Sequence, residues 1–216
     1  MLEPARHLPL FALLEALEQP GCPVCRLADQ AARRFFEALF YEQVTDPQTR
    51  ARLRRAGGFC RAHTAIVLQL GDSLGSSLIY ADLLREAVKL LGGDFAAGCP
   101  ACEAAAGAVD RALAALLCHL VDEDVLAAYR KGDGLCLEHL RQAISRFRPA
   151  RRRRPSTDAA RLIQIETERL GRLAAECEEF AAKSDYLRRG EPRGPESDAW
   201  QRAARKVGGG YPHHGT

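Results

Sequence analysis

The sequence predicts an all-α fold, and three observations carry the prediction. Ala, Leu, Arg and Glu are abundant while aromatic residues make up 6% of the 216 positions. That mixture favours helices, because straight-chain side chains lose little rotamer freedom there. Apolar residues recur at helical spacing in segment after segment, and no stretch of useful length alternates as a strand would. The chain also repeats itself. Gly21 to Cys25 (GCPVC) returns as Gly98 to Cys102 (GCPAC) 77 residues later, and Gly58 to His63 (GFCRAH) returns as Gly134 to His139 (GLCLEH) 76 residues later. Two motifs recurring at nearly one interval mark an internal duplication.

The elements follow in order. A first helix is expected over 9–18, with Leu10, Leu13, Leu14 and Leu17 on one face. Gln19-Pro20-Gly21 then turns the chain into the first cysteine pair. A helix over 26–44 stops at Thr45-Asp46-Pro47, and Pro47 suits the first turn of the next helix. That helix ends at Gly57-Gly58. Cys60 opens a helix reaching Leu70, and another covers 76–91. The second copy repeats the layout with helices over 103–121 and 123–130 and a Gly-Asp-Gly turn before Cys136. A long last helix spans 157–187 with Ser156 as N-cap. Its apolar stripe is Leu162, Leu170, Leu173, Cys177 and Phe180. Residues 189–216 are rich in Gly, Pro and charge apart from Trp200, and read as a flexible tail. The expected organisation is a first metal-binding repeat over 1–92, a second over 93–148, a basic linker and long helix over 149–188, and the tail.

The cysteines explain why the repeats should bind metal. No secretory signal is visible, and no run approaches the roughly 18 apolar residues of a membrane span. A cytoplasmic setting keeps thiols reduced, so eight cysteines point to metal or redox chemistry before disulfides. A Cys-x-x-Cys turn offers two sulfurs to one ion. A Cys-x-x-His at a helix start offers two more donors from one face, since residues three apart are helix neighbours. Together they make Cys3His, a closed structural zinc set.

The near pairing is expected: Cys22, Cys25, Cys60 and His63 in one site, Cys99, Cys102, Cys136 and His139 in the other. A helix of about 16 residues runs out roughly 24 Å, and a return helix of about ten covers roughly 15 Å. Four loop residues add about 10 Å, which closes the path. Each repeat is then a helical hairpin pinned at its open end by its own ion. Two structural Zn²⁺ ions are expected, with an iron–sulfur cluster carrying one His ligand as the alternative. Four protein ligands leave no open position, which argues against metal catalysis. A thioredoxin-like redox pair needs a strand–helix junction, and no strand pattern exists.

Charge marks one further feature. The formal net charge is +3, and Arg146 to Pro155 (RFRPARRRRP) holds six arginines and no acid. Arg151, Arg152, Arg153 and Arg154 are the candidate contacts to nucleic acid phosphates, against the plainer reading of a solvated linker. Cys118 and Cys177 fall outside the repeats and read as core thiols. His7, His119, His213 and His214 have no partner motif. Asp122, Glu123 and Asp124 read as an acidic helix start. No P-loop, Rossmann glycine pattern, nucleophile elbow or His-Glu-x-x-His motif is present, so nothing argues for an enzyme.

The tandem CPVC…GFCRAH and CPAC…GLCLEH pattern resembles a functionally uncharacterised bacterial family in which a CPxC/CxxH duplication precedes a helical C-terminal region. Lys183-Ser184-Asp185-Tyr186 and the later Glu191, Ser197 and Trp200 look like its closing segment. The resemblance implies metal-binding positions and no activity. The function expected is a zinc-stabilised helical scaffold or protein-interaction module that binds another protein or itself. The alternatives are a nucleic-acid-associated regulator and a thiol or zinc redox sensor.

Overall fold

The protein is seen in a computed structural model that describes residues 4–91, 98–147, 157–188 and 190–210. Every regular element among them is helical: α1 Pro4–Leu17, α2 Pro23–Ala38, α3 Pro47–Ala56, α4 Arg61–Leu70, α5 Ser73–Lys89, α6 Pro100–His119, α7 Glu123–Lys131, α8 Leu137–Phe147, α9 Thr157–Lys183 and α10 Ala199–Gly208. Two short turns join this set, a π turn at Leu39–Gln43 and a 3₁₀ turn at Pro195–Asp198. No single described helix is long and apolar enough to cross a membrane.

Local chemistry sets the boundaries. Asp46 caps α3 by accepting the Thr49 N–H at 2.7 Å, with Pro47 in the first turn, and Gly57 ends the helix in the left-handed conformation. Asp72 caps α5 in the same way from the Gly75 N–H at 2.6 Å. Asp122 stands at the N-cap position of α7 with Glu123 and Asp124 in its first turn, the acidic start expected.

The chain forms two compact units that do not follow the repeats. The first comprises residues up to Arg26 and from Arg111 onward; the second is Leu27–Asp110. The expected repeats divide at 92/93, whereas the compact units divide inside α2 and α6. Each of these helices begins with its cysteine pair in one unit and contributes its remainder to the other.

In the second unit Phe36, Leu39, Leu53, Val67 and Ile79 are buried together, with Phe35, Phe40 and Phe59 packed against them. Each such burial stabilises by about 1.5–3 kcal/mol. Arg50 and Arg54 of α3 both reach Asp82 of α5. The first unit buries Leu13 and Leu17 of α1, Leu113 and Leu116 of α6, Leu120 just after it, Tyr129 of α7 and Leu162 of α9.

The C-terminal region corrects the expectation of a flexible tail. α10 packs on α9 and α8. Glu196 is buried and accepts from Lys183 at 2.8 Å and from the Gly194 N–H at 2.9 Å. Arg202 holds Glu176 at 2.6 Å and Asp198 at 2.7 Å, and Arg193 lies over the Phe180 ring. Paired polar groups dock this segment, and hydropathy gives them no weight. The long helix stops at Lys183, four residues early, and its buried face differs from the expected stripe. Ala159, Leu162, Ile165, Glu166 and Arg169 face inward. Ser156 lies outside the described residues.

Candidate metal centres

Two groups of four donors assemble, one in each unit, and all eight sequence candidates are in them. Cys22, Cys25, Cys136 and His139 form the first; Cys60, His63, Cys99 and Cys102 form the second. Within each group every ligand atom lies within 4.8 Å of every other. The pairing is nested, and the near pairing expected from the sequence is overturned. The inner Cys-x-x-His meets the inner Cys-x-x-Cys, and the outer motifs close together.

Packing supplies the reason. Phe59 and Phe36 stack edge to face at 4.9 Å, and the His63 ring lies 6.2 Å from Phe36. Cys60 and Cys99 both pack with the aliphatic core of the second unit. Burying these rings holds Cys60 and His63 on the far half of α2, so α3 does not carry them back to Cys22 and Cys25.

The distances fit a single tetrahedral ion. Metal–sulfur bonds of about 2.3 Å and metal–nitrogen bonds of about 2.0–2.1 Å put neighbouring sulfurs about 3.8 Å apart and sulfur and nitrogen about 3.5 Å apart. Cys25 Sγ lies 3.7 Å from Cys136 Sγ, and Cys60 Sγ lies 3.6 Å from Cys102 Sγ. His139 Nδ1 lies 3.5, 3.4 and 3.2 Å from the sulfurs of Cys22, Cys25 and Cys136. His63 Nδ1 lies 3.2, 3.4 and 3.2 Å from those of Cys60, Cys99 and Cys102. A disulfide would need about 2.05 Å between sulfurs. These clusters can hold metal ions.

The sequence prepares both sites in the same way. Gly58 and Gly134 stand two residues before Cys60 and Cys136, each with a left-handed backbone (φ 95° and 68°) that other residues adopt only at a cost. Cys60 then occupies the N-cap position of α4. The His63 backbone N–H is the chief cause holding the Cys60 thiol below its usual range. Burial and the neighbouring thiols push Cys102 up to about 12, while burial lowers His63. In the first site hydrogen bonding from the other two cysteines lowers Cys136, and hydrogen bonding to Cys136 and Cys22 raises Cys25. Burial opposes the His139 imidazolium, but the surrounding sulfurs outweigh it and raise it to about 9. Three adjacent sulfurs repel one another as thiolates, and a bound dication removes that conflict.

The sites differ in cover. Cys22, Cys136 and His139 are buried, whereas Cys102 is exposed and Cys60 and His63 are half-buried. The first site also gains partners that sequence reasoning missed. Gly210 N–H donates to Cys25 Sγ at 3.2 Å, and Gly210 O accepts from the Cys22 N–H at 3.1 Å. Gly209 and Gly210 have φ of 85° and 109°, so the Gly-Gly-Gly run that ends α10 was the signal available. Beneath this site Glu166 is wholly enclosed by Tyr129, Arg169 and Lys206.

Other candidates fall elsewhere. Cys118 is exposed, which corrects its reading as a core thiol, and Cys177 is half-buried. His119 pairs with Asp122 at 2.8 Å. Arg151, Arg152, Arg153 and Arg154 lie outside the described residues, as do His213 and His214.

Fold and donor sets together define an all-helical protein with two Cys3His clusters. The chain belongs to a family of unknown function, DUF6062, whose model matches residues 5–97 and again 94–214. The double match accords with the duplicated motifs. The chain is also 38% identical over 73 residues to an uncharacterised 23.9 kDa protein encoded in the xynA 3′ region of Caldicellulosiruptor sp. (strain Rt8B.4). That match covers 34% of this chain and 36% of the relative, so it spans about a third of the relative's length. No solved structure matches.

Proposed function

We propose that the protein is a zinc-clamped helical scaffold that docks a protein partner or a second copy of itself. The observation that carries this reading is the spacing of the four donors in each cluster, which suits one tetrahedral ion. Zinc is the ion that Cys3His serves as a closed structural set. A multi-iron cluster spreads its thiolates over several irons and holds them further apart than one ion does, which weighs against the iron–sulfur alternative.

The docking half of the proposal is supported by α5. Leu74, Leu78, Leu84 and Val88 are all exposed, and at 100° per residue they share one face of the helix. An apolar stripe of that length left in water favours association.

Elemental analysis of the purified protein with a visible spectrum tests the metal. Two zinc ions per chain and no visible absorption are expected; iron with a charge-transfer band overturns zinc. Light scattering after size exclusion, together with a pull-down, tests the docking. A strict monomer that captures nothing, unchanged by Leu84→Glu, overturns it. A thiol-sensor reading draws on the exposed Cys102. It requires mild peroxide to release zinc, and full retention rejects it.

A further inference from the structure

A cavity of about 270 Å³ opens within the first unit, and Cys22 and Cys136 form part of its wall. Of its fifteen lining residues seven are Arg or Lys, two are carboxylates and one, Leu173, is a large apolar side chain. Ligand cavities are ordinarily lined mostly by apolar groups, so this one is built for a charged occupant.

Three of the cations already have protein partners. Arg169 and Lys206 share Glu166, and Arg202 pairs with Glu176 and Asp198. Among the described residues Arg130, Lys131, Arg172 and Arg205 make no ion pair. Two plainer explanations leave these cations only partly explained. Helix C-termini favour cations, which accounts for Arg130 and Lys131 at the end of α7 and Arg205 at the end of α10. It does not account for Arg172, midway along α9, lining the same cavity. Neutralising the metal cluster is the other. A dication with three thiolates and an imidazole carries one net negative charge, which four unpaired cations exceed.

We infer that this cavity binds a small phosphate-bearing molecule, gripped by Arg130, Arg172 and Arg205 from three different helices. Guanidinium forks match phosphate oxygens two at a time. The volume falls just below the usual range of about 300–1,000 Å³ for ligand pockets, which suits a pyrophosphate or a sugar phosphate and not a stretch of polymer.

The test is calorimetry on the full, metal-loaded chain with inorganic pyrophosphate in about 0.15 M chloride, where exposed charges are screened. One site per chain is expected. Arg172→Ala with Arg205→Ala should weaken it roughly tenfold or more, since charge-assisted hydrogen bonds are lost. Lys89→Ala, in the second unit, should leave it unchanged. Metal content, measured on each variant, should stay at the wild-type value. Absence of pyrophosphate binding by the wild type overturns the inference, as does binding that the double variant leaves intact. Loss of metal affinity in the double variant, without pyrophosphate binding by the wild type, assigns the arginines to the cluster and also overturns it. A single-stranded oligonucleotide that binds more tightly with length and displaces pyrophosphate overturns the small-molecule reading in favour of nucleic acid.

Discussion

Cys22 and His139 are 117 positions apart in the chain, yet Cys22 Sγ lies 3.5 Å from His139 Nδ1. The outer motifs of the duplication thus share one cluster while the inner motifs share the other. Each cluster draws its donors from both copies of the repeat, so neither copy holds a complete donor set.

This nesting makes a sharp prediction about stoichiometry. Cys22→Ser with Cys136→Ser strikes one cluster twice and should leave one metal ion per chain. Cys22→Ser with Cys60→Ser strikes both clusters and should leave none. Sequential pairing within each repeat requires the opposite assignment, with the first double variant losing both ions. Elemental analysis of the two variants against wild type decides between them.

A second prediction concerns the order of release. Cys102 is exposed, whereas Cys22, Cys136 and His139 are buried and Cys25 accepts the Gly210 N–H. A coloured chelator should therefore withdraw metal in two phases, the faster from the second cluster. Gly210→Ala forces a side chain onto a backbone at φ 109°, a strain on the order of 1–2 kcal/mol. It should speed the slow phase roughly five- to thirty-fold and leave the fast phase alone. Equal rates for both clusters in the wild type would contradict this account of their cover.

The donors were legible in the sequence, and their partners were not, for a physical reason. Cys-x-x-Cys and Cys-x-x-His are local geometries, fixed by a turn and by one helix face. Which pair meets which depends on chain closure, and closure entropy grows only as the logarithm of loop length. Closing a loop of about 110 residues costs only about 1 kcal/mol more than one of about 35. Nearness in sequence is therefore a weak guide. The rings of Phe36 and Phe59 outweigh it. The helices were legible for similar reasons, because Pro47, Gly57 and Asp72 act on their own neighbours. The docked C-terminal segment was hidden. It is held by Lys183, Glu196 and Arg202, whose pairing joins positions that no periodicity links.

That segment provides a pH prediction. The Lys183 ammonium and the Gly194 N–H bring the Glu196 carboxyl down from its usual 4.5 to about 2. A carboxyl lowered by folding stabilises the folded state fully above its ordinary value. That contribution is lost as pH falls from 4.5 through about 2. Carboxyl-detected NMR should place the Glu196 midpoint near 2 in the folded protein, and Lys183→Met should return it toward 4.5. A midpoint near 4.5 in the wild type would show that Glu196 and Lys183 do not hold the segment together.

The last prediction follows from the buried ionic group under the first cluster. Glu166 is 1% exposed, with Arg169 at 9% and Lys206 at 7% beside it. Lys206 Nζ lies 2.6 Å from Glu166 Oε2 and 2.9 Å from the Asp133 carbonyl oxygen, while Tyr129 OH donates to Glu166 Oε1. Glu166→Gln keeps the shape and removes the charge, leaving two buried cations with no anion between them. Breaking a buried pair from one side costs about 3–5 kcal/mol. Glu138→Gln, at an exposed position, should stay within about 0.5 kcal/mol of wild type. Denaturant unfolding of the metal-loaded proteins measures both. Adding Lys206→Met to Glu166→Gln removes one stranded cation and should restore part of the loss, a recovery that simple mispacking at Glu166 would not produce.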